Sequence, residues 1–199
     1  MTIRLAGADD APAIAAIYAP YVTGTFVSFE IEPPDQREMR RRTESGAGLY
    51  PWFVACAEDG EILGYASASA FRTRRAYRFT VETSVYLAAS ACGRGIGRRL
   101  YSVLLDTLTA QGFTQAVGAI SLPNPASVAL HEALGFTHAG TYREVGYKLG
   151  QWLSVGLWQR SLAEPGHPPE EPKPVAAVWP LGPSAGQSPD RFGDSRTVR

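Results

Sequence analysis

The 199 residues are 45% hydrophobic and 11% aromatic, enough for one domain with a sizeable core and too few for two comfortable ones. Lysine and arginine balance aspartate and glutamate at 19 each, which leaves no global field for nucleic acid or an anionic membrane, and no apolar run approaches the roughly 20 residues that span a bilayer. The N-terminus lacks a basic-then-apolar signal pattern, and Cys56 and Cys92 form neither a metal-type spacing nor a disulfide framework, so a cytoplasmic protein with free thiols and no metal is expected.

Thr2 to Leu5 reads as a short first strand. Asp9 and Asp10 precede Ala11-Pro12, and Ile14, Ile17, Tyr18 and Tyr21 follow at helical spacing; capping residues, an early proline and an apolar stripe agree on a helix ending between Pro20 and Thr23. Phe26, Phe29 and Glu30 come next in a stretch closed by Pro33-Pro34, before a charged helix from Asp35 to Ser45. Its Arg37, Arg40, Arg41 and Arg42 read as a solvated face. Trp52 to Ala57 and Glu61 to Phe71 are strand-like runs joined through Glu58-Asp59-Gly60, and Asp-Gly between apolar runs signals a hairpin. The basic cluster Arg72-Thr73-Arg74-Arg75-Ala76-Tyr77 follows. If extended, it puts Arg72 and Arg74 on one face, either as a solvated strand end or as a guanidinium pair for an acidic ligand group.

The run Val81 to Leu87 alternates, with Val81, Thr83, Val85 and Leu87 toward a core and Glu82, Ser84 and Tyr86 on the opposite face. A carboxylate in that row is costly to bury unpaired, so Glu82 is a candidate general base. The strand feeds the glycine-rich turn Cys92-Gly93-Arg94-Gly95-Ile96-Gly97, which opens a helix striped by Ile96, Leu100, Val103, Leu104 and Leu108 and capped by Gly112. Free N–H groups and a positive helix end there suit a pyrophosphate. Arg99 and Tyr101 read as helix surface and core.

Thr114 to Ser121 is then a strand, and Asn124 with Pro125 caps and starts a helix packed by Val128, Leu130 and Leu134 and ended by Gly135. Phe136 to Tyr147 and Gln151 to Gln159 form two last strands around Lys148-Leu149-Gly150. From Glu164 prolines at 165, 168, 169, 172, 174, 180, 183 and 189 dominate, so a domain over residues 1–163 and a disordered tail over 164–199 are expected.

A dinucleotide-binding unit places its glycine loop after the first strand, and a P-loop ends in Gly-Lys-Ser/Thr; neither fits a loop after the fourth strand. The order β-α-α-β-β-β-α-β-α-β-β, with Gly95 and Gly97 in the loop and Asn124, Ser127, His131, Gly135 and Phe136 downstream, resembles the GCN5-related N-acetyltransferase (GNAT) family; Cys92 stands where that family usually carries Gln or Arg. Over residues 3–162 the blocks Ser28-Phe29-Glu30, Tyr50-Pro51-Trp52, Arg72 to Tyr77, Thr80-Val81-Glu82, Ser84-Val85-Tyr86, Leu130 to Phe136 and Gly156 to Gln159 look like phosphinothricin and methionine sulfoximine or sulfone N-acetyltransferases. Ser154 replaces their usual Asp.

The resemblance implies an α/β (α+β) fold, a single GNAT-like domain whose mixed central sheet of about seven strands is flanked by about four helices. It implies acetyl-CoA as cosubstrate, a small amine such as phosphinothricin or methionine sulfoximine as acceptor, direct attack in a ternary complex, and a homodimer. Glu82 would be the base and His131 the acid. Val85, Tyr86 and Leu87 would lie along the pantetheine, Arg94, Gly95, Ile96, Gly97 and Arg98 around the pyrophosphate, and Asn124, Ser127 and His131 near the sulfur. Phe29, Arg72, Arg74, Tyr77, Glu82, Ser84 and Tyr86 would line the acceptor site. Blander roles stand beside these: Glu82 as a partner for Arg72 or Arg74, His131 as a structural residue, Asn124 as a helix cap. Other readings are an acetyltransferase for another amine, amino acid or protein N-terminus, and a non-catalytic acyl-CoA-binding sensor.

Overall fold

The structure, a computed structural model, describes residues 1–46 and 48–179. Seven strands form one sheet: β1 (Thr2–Leu5), β2 (Trp52–Cys56), β3 (Ile62–Ala70), β4 (Thr80–Leu87), β5 (Gln115–Leu122), β6 (Thr137–Lys148) and β7 (Gln151–Ser161). Their spatial order is β1-β2-β3-β4-β5-β7-β6, antiparallel throughout except for the parallel pair β4–β5. The helices are α1 (Ala11–Thr23), α2 (Gln36–Ser45), α3 (Ile96–Gln111), α4 (Pro125–Ala133) and the single turn α5 (Val175–Val178).

Each face of the sheet carries its own core. On one, α3 buries Leu100, Tyr101, Leu104, Leu105 and Leu108 against Phe53, Ala66, Val81 and Ala116, each large apolar side chain contributing about 1.5–3 kcal/mol. On the other, Ile14, Ile17, Tyr18 and Val22 of α1 and Met39 of α2 cover Val54, Cys56 and Tyr65. The period of two in the strands and the helical stripes produce this division directly.

Capping chemistry follows expectation at α4, where Asn124 Oδ1 accepts from Ser127 N–H at 3.1 Å with Pro125 in the first turn, and α2 is capped by the Asp35 side chain, which accepts from Glu38 N–H at 2.7 Å. It departs at α1. Asp10 makes no side-chain cap there; its carboxylate accepts from Gly7 N–H at 2.7 Å and pairs with Arg4 at 2.6 Å, closing a short 3-10 turn over Ala8–Asp10. The two-pronged arginine outcompetes the helix N–H groups for the same oxygens.

The edge strand β6 is irregular. Its register against β7 shifts between His138 and Gly140 and again between Tyr142 and Gly146, with Glu144 at φ 50° and its N–H donated to Ser154 Oγ at 3.1 Å.

The proline-rich segment does not leave the domain at Glu164 as expected. Glu171 pairs with Arg78 at 2.8 Å, Lys173 N–H donates to Gln111 C=O at 2.7 Å, Val175 is buried, and the Trp179 ring meets Phe53 edge-on at 4.8 Å. Prolines prevent regular pairing here, yet one apolar turn and one tryptophan suffice to dock the chain on α3. The remainder of the expected tail, 180–199, lies outside the described residues.

Candidate active site

Strand β4 pairs with β3 from Val81 opposite Ala70 to Leu87 opposite Gly64 with no register shift, so the alternation read from the sequence survives. Val81 and Thr83 are buried toward α3. On the α1–α2 side stand Glu82, Ser84 and Tyr86, directly across from Ser69, Ser67 and Tyr65.

The other edge of β4 is different. It meets β5 only where Thr80, Val81 and Glu82 oppose Gln115, Ala116 and Val117, while β5 continues along β7 to Leu122. Past Glu82 the two parallel strands part. Ala88 N–H donates to Leu63 C=O at 2.9 Å, and successive residues turn their peptide groups to opposite sides, so Val85 and Leu87 point theirs into the opening. The Leu87 carbonyl accepts from Tyr21 OH at 2.7 Å; the N–H groups of Val85 and Leu87 remain for a ligand chain laid along the strand.

At the mouth of the opening lies the glycine loop. Gly93 and Gly95 have φ of 72° and 74°, the left-handed region that bends the chain without steric cost only for glycine. Gly95 precedes α3 with no side-chain cap, and Arg99 N–H is the first to find an intrahelical carbonyl, that of Gly95 at 3.2 Å. Ile96, Gly97 and Arg98 therefore present unpaired N–H groups at the positive end of a 16-residue helix. A Cβ on Gly97 would come within 3.2 Å of Leu87 Cδ1, so this glycine lets α3 close on the end of β4. Arg94 lies over the loop, its guanidinium 3.5 Å from Ser90 C=O. A long, thin ligand with a diphosphate at one end fits this cradle and the opening behind it.

Beside the opening, a cavity of about 450 Å³ sits between the sheet and α1–α2, with Ser67, Ser69, Ser84, Tyr65 and Tyr86 on its floor and Tyr18, Glu30 and Arg42 on its walls. Burial raises the Glu82 carboxyl above the usual carboxylate range, and the Arg72 guanidinium partly opposes that rise. A carboxylate so perturbed, at the point where two strands separate, is poised to hold a proton.

The structure does not bring every expected acceptor residue to this cavity. Ser84 and Tyr86 line it, but Phe29, Arg72, Arg74, Tyr77 and Glu82 do not; Glu82 stands one step beyond Ser84 on the same face of β4. The stretch from Arg72 to Tyr77 is not one extended run: β3 ends at Ala70, Arg74 keeps an extended backbone at φ -74°, and Arg75 to Tyr77 close a 3-10 turn in which Tyr77 N–H bonds Arg74 C=O and Arg78 N–H bonds Arg75 C=O. Arg72 rests over the Phe71 ring at 5.0 Å and reaches Glu82 by charge alone. Phe29 is partly exposed beside Gly146 of β6, and Lys148 Nζ donates to Ser28 C=O at 2.6 Å next to it. Conversely, Arg42 is not a solvated face residue. It grips Glu30 with two nitrogens, at 2.7 and 3.0 Å, and also reaches Glu38.

His131 is buried, in space left by Gly118, where a Cβ would fall 2.5 Å from Nε2. Its Nδ1 lies 2.8 Å from the Ser127 carbonyl, which fixes the proton there, and Nε2 accepts from Tyr101 OH at 3.1 Å. Tyr101 OH is in turn 2.6 Å from Thr83 Oγ1 on β4. Burial lowers the imidazole pKa, so both nitrogens are engaged in a neutral ring. The expected acid is thus the inner end of a chain running from α4 through α3 to the opened strand.

Tyr101 and Thr83 entered the sequence reading only as core. Ser67 and Ser69 carried a signal that went unused: they alternate with Ala66 and Ala68, one polar and one apolar face of the same strand. Arg42 carried none, since its partner Glu30 lies 12 residues away in an irregular stretch.

A sequence model described as an acetyltransferase (GNAT) domain matches residues 3–155. The phosphinothricin N-acetyltransferase of Streptomyces viridochromogenes is 42% identical over 176 residues, 88% of this chain and 95% of that protein. The L-methionine sulfoximine/L-methionine sulfone acetyltransferase of Pseudomonas aeruginosa is 39% identical over 163 residues, 81% of this chain and 94% of that protein. A crystal structure of a GNAT superfamily phosphinothricin acetyltransferase from Sinorhizobium meliloti, in complex with acetyl-CoA, superposes with a TM-score of 0.79 at 44% identity, covering 90% of this chain and 95% of that one.

Proposed function

Because the chain belongs to the GNAT acetyltransferase family and is an acetyl-CoA-dependent N-acetyltransferase, we propose that its acceptor is the amino group of a small amino-acid-like compound such as phosphinothricin or methionine sulfoximine. The observation that carries this reading is the parting of β4 and β5 beside Glu82, with a phosphate cradle at one end and a cavity of amino-acid size at the other. A cavity of about 450 Å³ with a hydroxyl-lined floor suits a compact zwitterion better than a folded protein surface.

Acetyl-CoA supplies the activated acetyl group as a thioester. Arg94, Gly95, Ile96, Gly97 and Arg98 hold its diphosphate, Val85 and Leu87 guide the pantetheine through their backbone N–H groups, and Tyr86 packs behind it. An α-amino group with a pKa near 8 arrives mostly as ammonium at neutral pH and must lose a proton before it attacks. Glu82 takes that proton, directly or through water; its raised pKa makes it a better base than an exposed glutamate. A strand N–H then faces the carbonyl oxygen as negative charge develops. A thiolate leaves readily, with a pKa near 8.5, so acid assistance is modest. His131, neutral and bonded to Tyr101, positions Thr83 and the opening of β4, while Asn124 and Ser127 hold α4 near the sulfur. Arg72, whose charge reaches Glu82, attracts the acidic end of the acceptor.

Acetylation converts a cationic amino group into a neutral amide, which would disarm an inhibitor that mimics an amino acid and so confer resistance. The two cysteines are unpaired, in keeping with a cytoplasmic enzyme. A homodimer is supported by the exposed Tyr142, Val145, Tyr147, Leu149 and Trp152 of the β6–β7 hairpin.

Purified protein offered phosphinothricin and methionine sulfoximine side by side, with free thiol as readout, tests the acceptor. Rapid thiol release with either supports it; release only with a peptide N-terminus or an unrelated amine overturns it.

A further inference from the structure

The loop joining α2 to β2 frames the proposed acceptor cavity, through Ser45 and Gly46 at its start and Tyr50 at its end. It folds on itself, with Leu49 and Tyr50 N–H both donated to Gly46 C=O at 2.9 and 2.6 Å, and Ala68 N–H of β3 donates to Pro51 C=O at 3.0 Å just beyond. Its outward carbonyls are taken by partners from elsewhere. Gly48 C=O accepts from Val175 N–H at 3.0 Å, and Leu49 C=O accepts from Gln111 Nε2 at 2.9 Å.

Gln111 is fully buried at the end of α3 and divides its amide between the two segments, donating also to Lys173 C=O at 2.8 Å, while Lys173 N–H returns a bond to the Gln111 carbonyl at 2.7 Å. Val175 is buried, and Trp179 lies against Phe53 of β2. The Glu171–Arg78 pair fastens the other end beside β4. Residues 171–179 thus form a strap outside the matched family region, bonded to the back of a loop whose front borders the cavity.

We infer that the segment Glu171–Trp179 is a positioning element for the acceptor site, holding the α2–β2 loop in the shape that seats the amine. This rests on the reading of the 450 Å³ cavity as the acceptor site. The strap touches neither the glycine loop nor the opened part of β4, so it acts on one substrate and not the other. Val175 and Trp179 carry the docking, and Gln111 couples it to the loop.

The test uses two full-length variants: Val175→Asp, which sets a charge where the strap meets the loop, and the milder Trp179→Ala. Hydrogen exchange of peptides covering residues 48–52 and 81–87 reads the strap without any acceptor. The expected result is exchange about tenfold faster in 48–52 for Val175→Asp, with 81–87 unchanged. With phosphinothricin as acceptor, its KM should rise about tenfold while the acetyl-CoA KM and kcat hold. Unchanged exchange in both peptides, or faster exchange in both together with a loss of both KM values, overturns the proposal. If wild-type protein releases no thiol with phosphinothricin, the acceptor reading fails, and the exchange comparison still decides whether the strap orders the loop.

Discussion

Glu82 and Val117 are the last residues at which β4 and β5 run paired; one residue further along the strands separate. The carboxylate therefore stands at the apex of the opening, on the face shared with Ser84 and Tyr86. As the proposed base, it should be replaceable by Gln without disturbing the fold or the cradle. Glu82→Gln is expected to lower kcat/KM by about 10²–10⁴ while calorimetry finds acetyl-CoA affinity unaltered. Full activity in this variant would remove Glu82 from the chemistry.

The same carboxyl predicts a pH dependence. Burial raises its pKa and Arg72 pulls it partly back. A base works deprotonated, so kcat/KM climbs with pH through that pKa. Arg72→Gln removes the cation that favours the carboxylate and should move the acidic limb of the profile to higher pH. A limb that stays in place would mean that another group sets it.

Tyr101→Phe deletes the hydroxyl between Thr83 and His131 and leaves the buried imidazole Nε2 without its donor. Loss of about 1–3 kcal/mol of stability is expected, seen as a lower urea midpoint at unchanged m-value. A midpoint equal to wild type would show that the Thr83–Tyr101–His131 chain contributes nothing to stability.

Gly95 sits at φ 74° just before α3. Gly95→Ala forces an L side chain into the left-handed region at a cost of order 1–3 kcal/mol, and the loop can relieve that strain only by turning its N–H groups away. The acetyl-CoA KM should rise and the acceptor KM should not. Equal effects on both would argue against a dedicated diphosphate cradle.

The order of strands and helices was legible because hydrophobic period and turn chemistry agree at most elements, from Asn124 and Pro125 starting α4 to Gly112 at φ 93° ending α3. Local rules failed where a distant group won. Asp10 gave up its cap to Arg4, and Arg42 left the solvent for Glu30. The alternation of β4 revealed Glu82, Ser84 and Tyr86, yet no periodicity could reveal that β5 leaves β4 after three residues, because both runs continue as good strands. Tyr101 lay on a core stripe; only its juxtaposition with Thr83 and His131 distinguishes it from filling. The 3-10 turn over Arg75–Tyr77 was not legible, because it carries no glycine or proline to announce it.

The twice-interrupted outer strand β6 sets a rule for how this molecule can be approached from that side. Two register shifts within twelve residues bend this edge strand, which disfavours pairing with a neighbouring chain that would extend the sheet from molecule to molecule. A partner approaching along that margin would meet the projecting rings of Tyr142, Tyr147 and Trp152, a contact governed by shape and not by strand pairing.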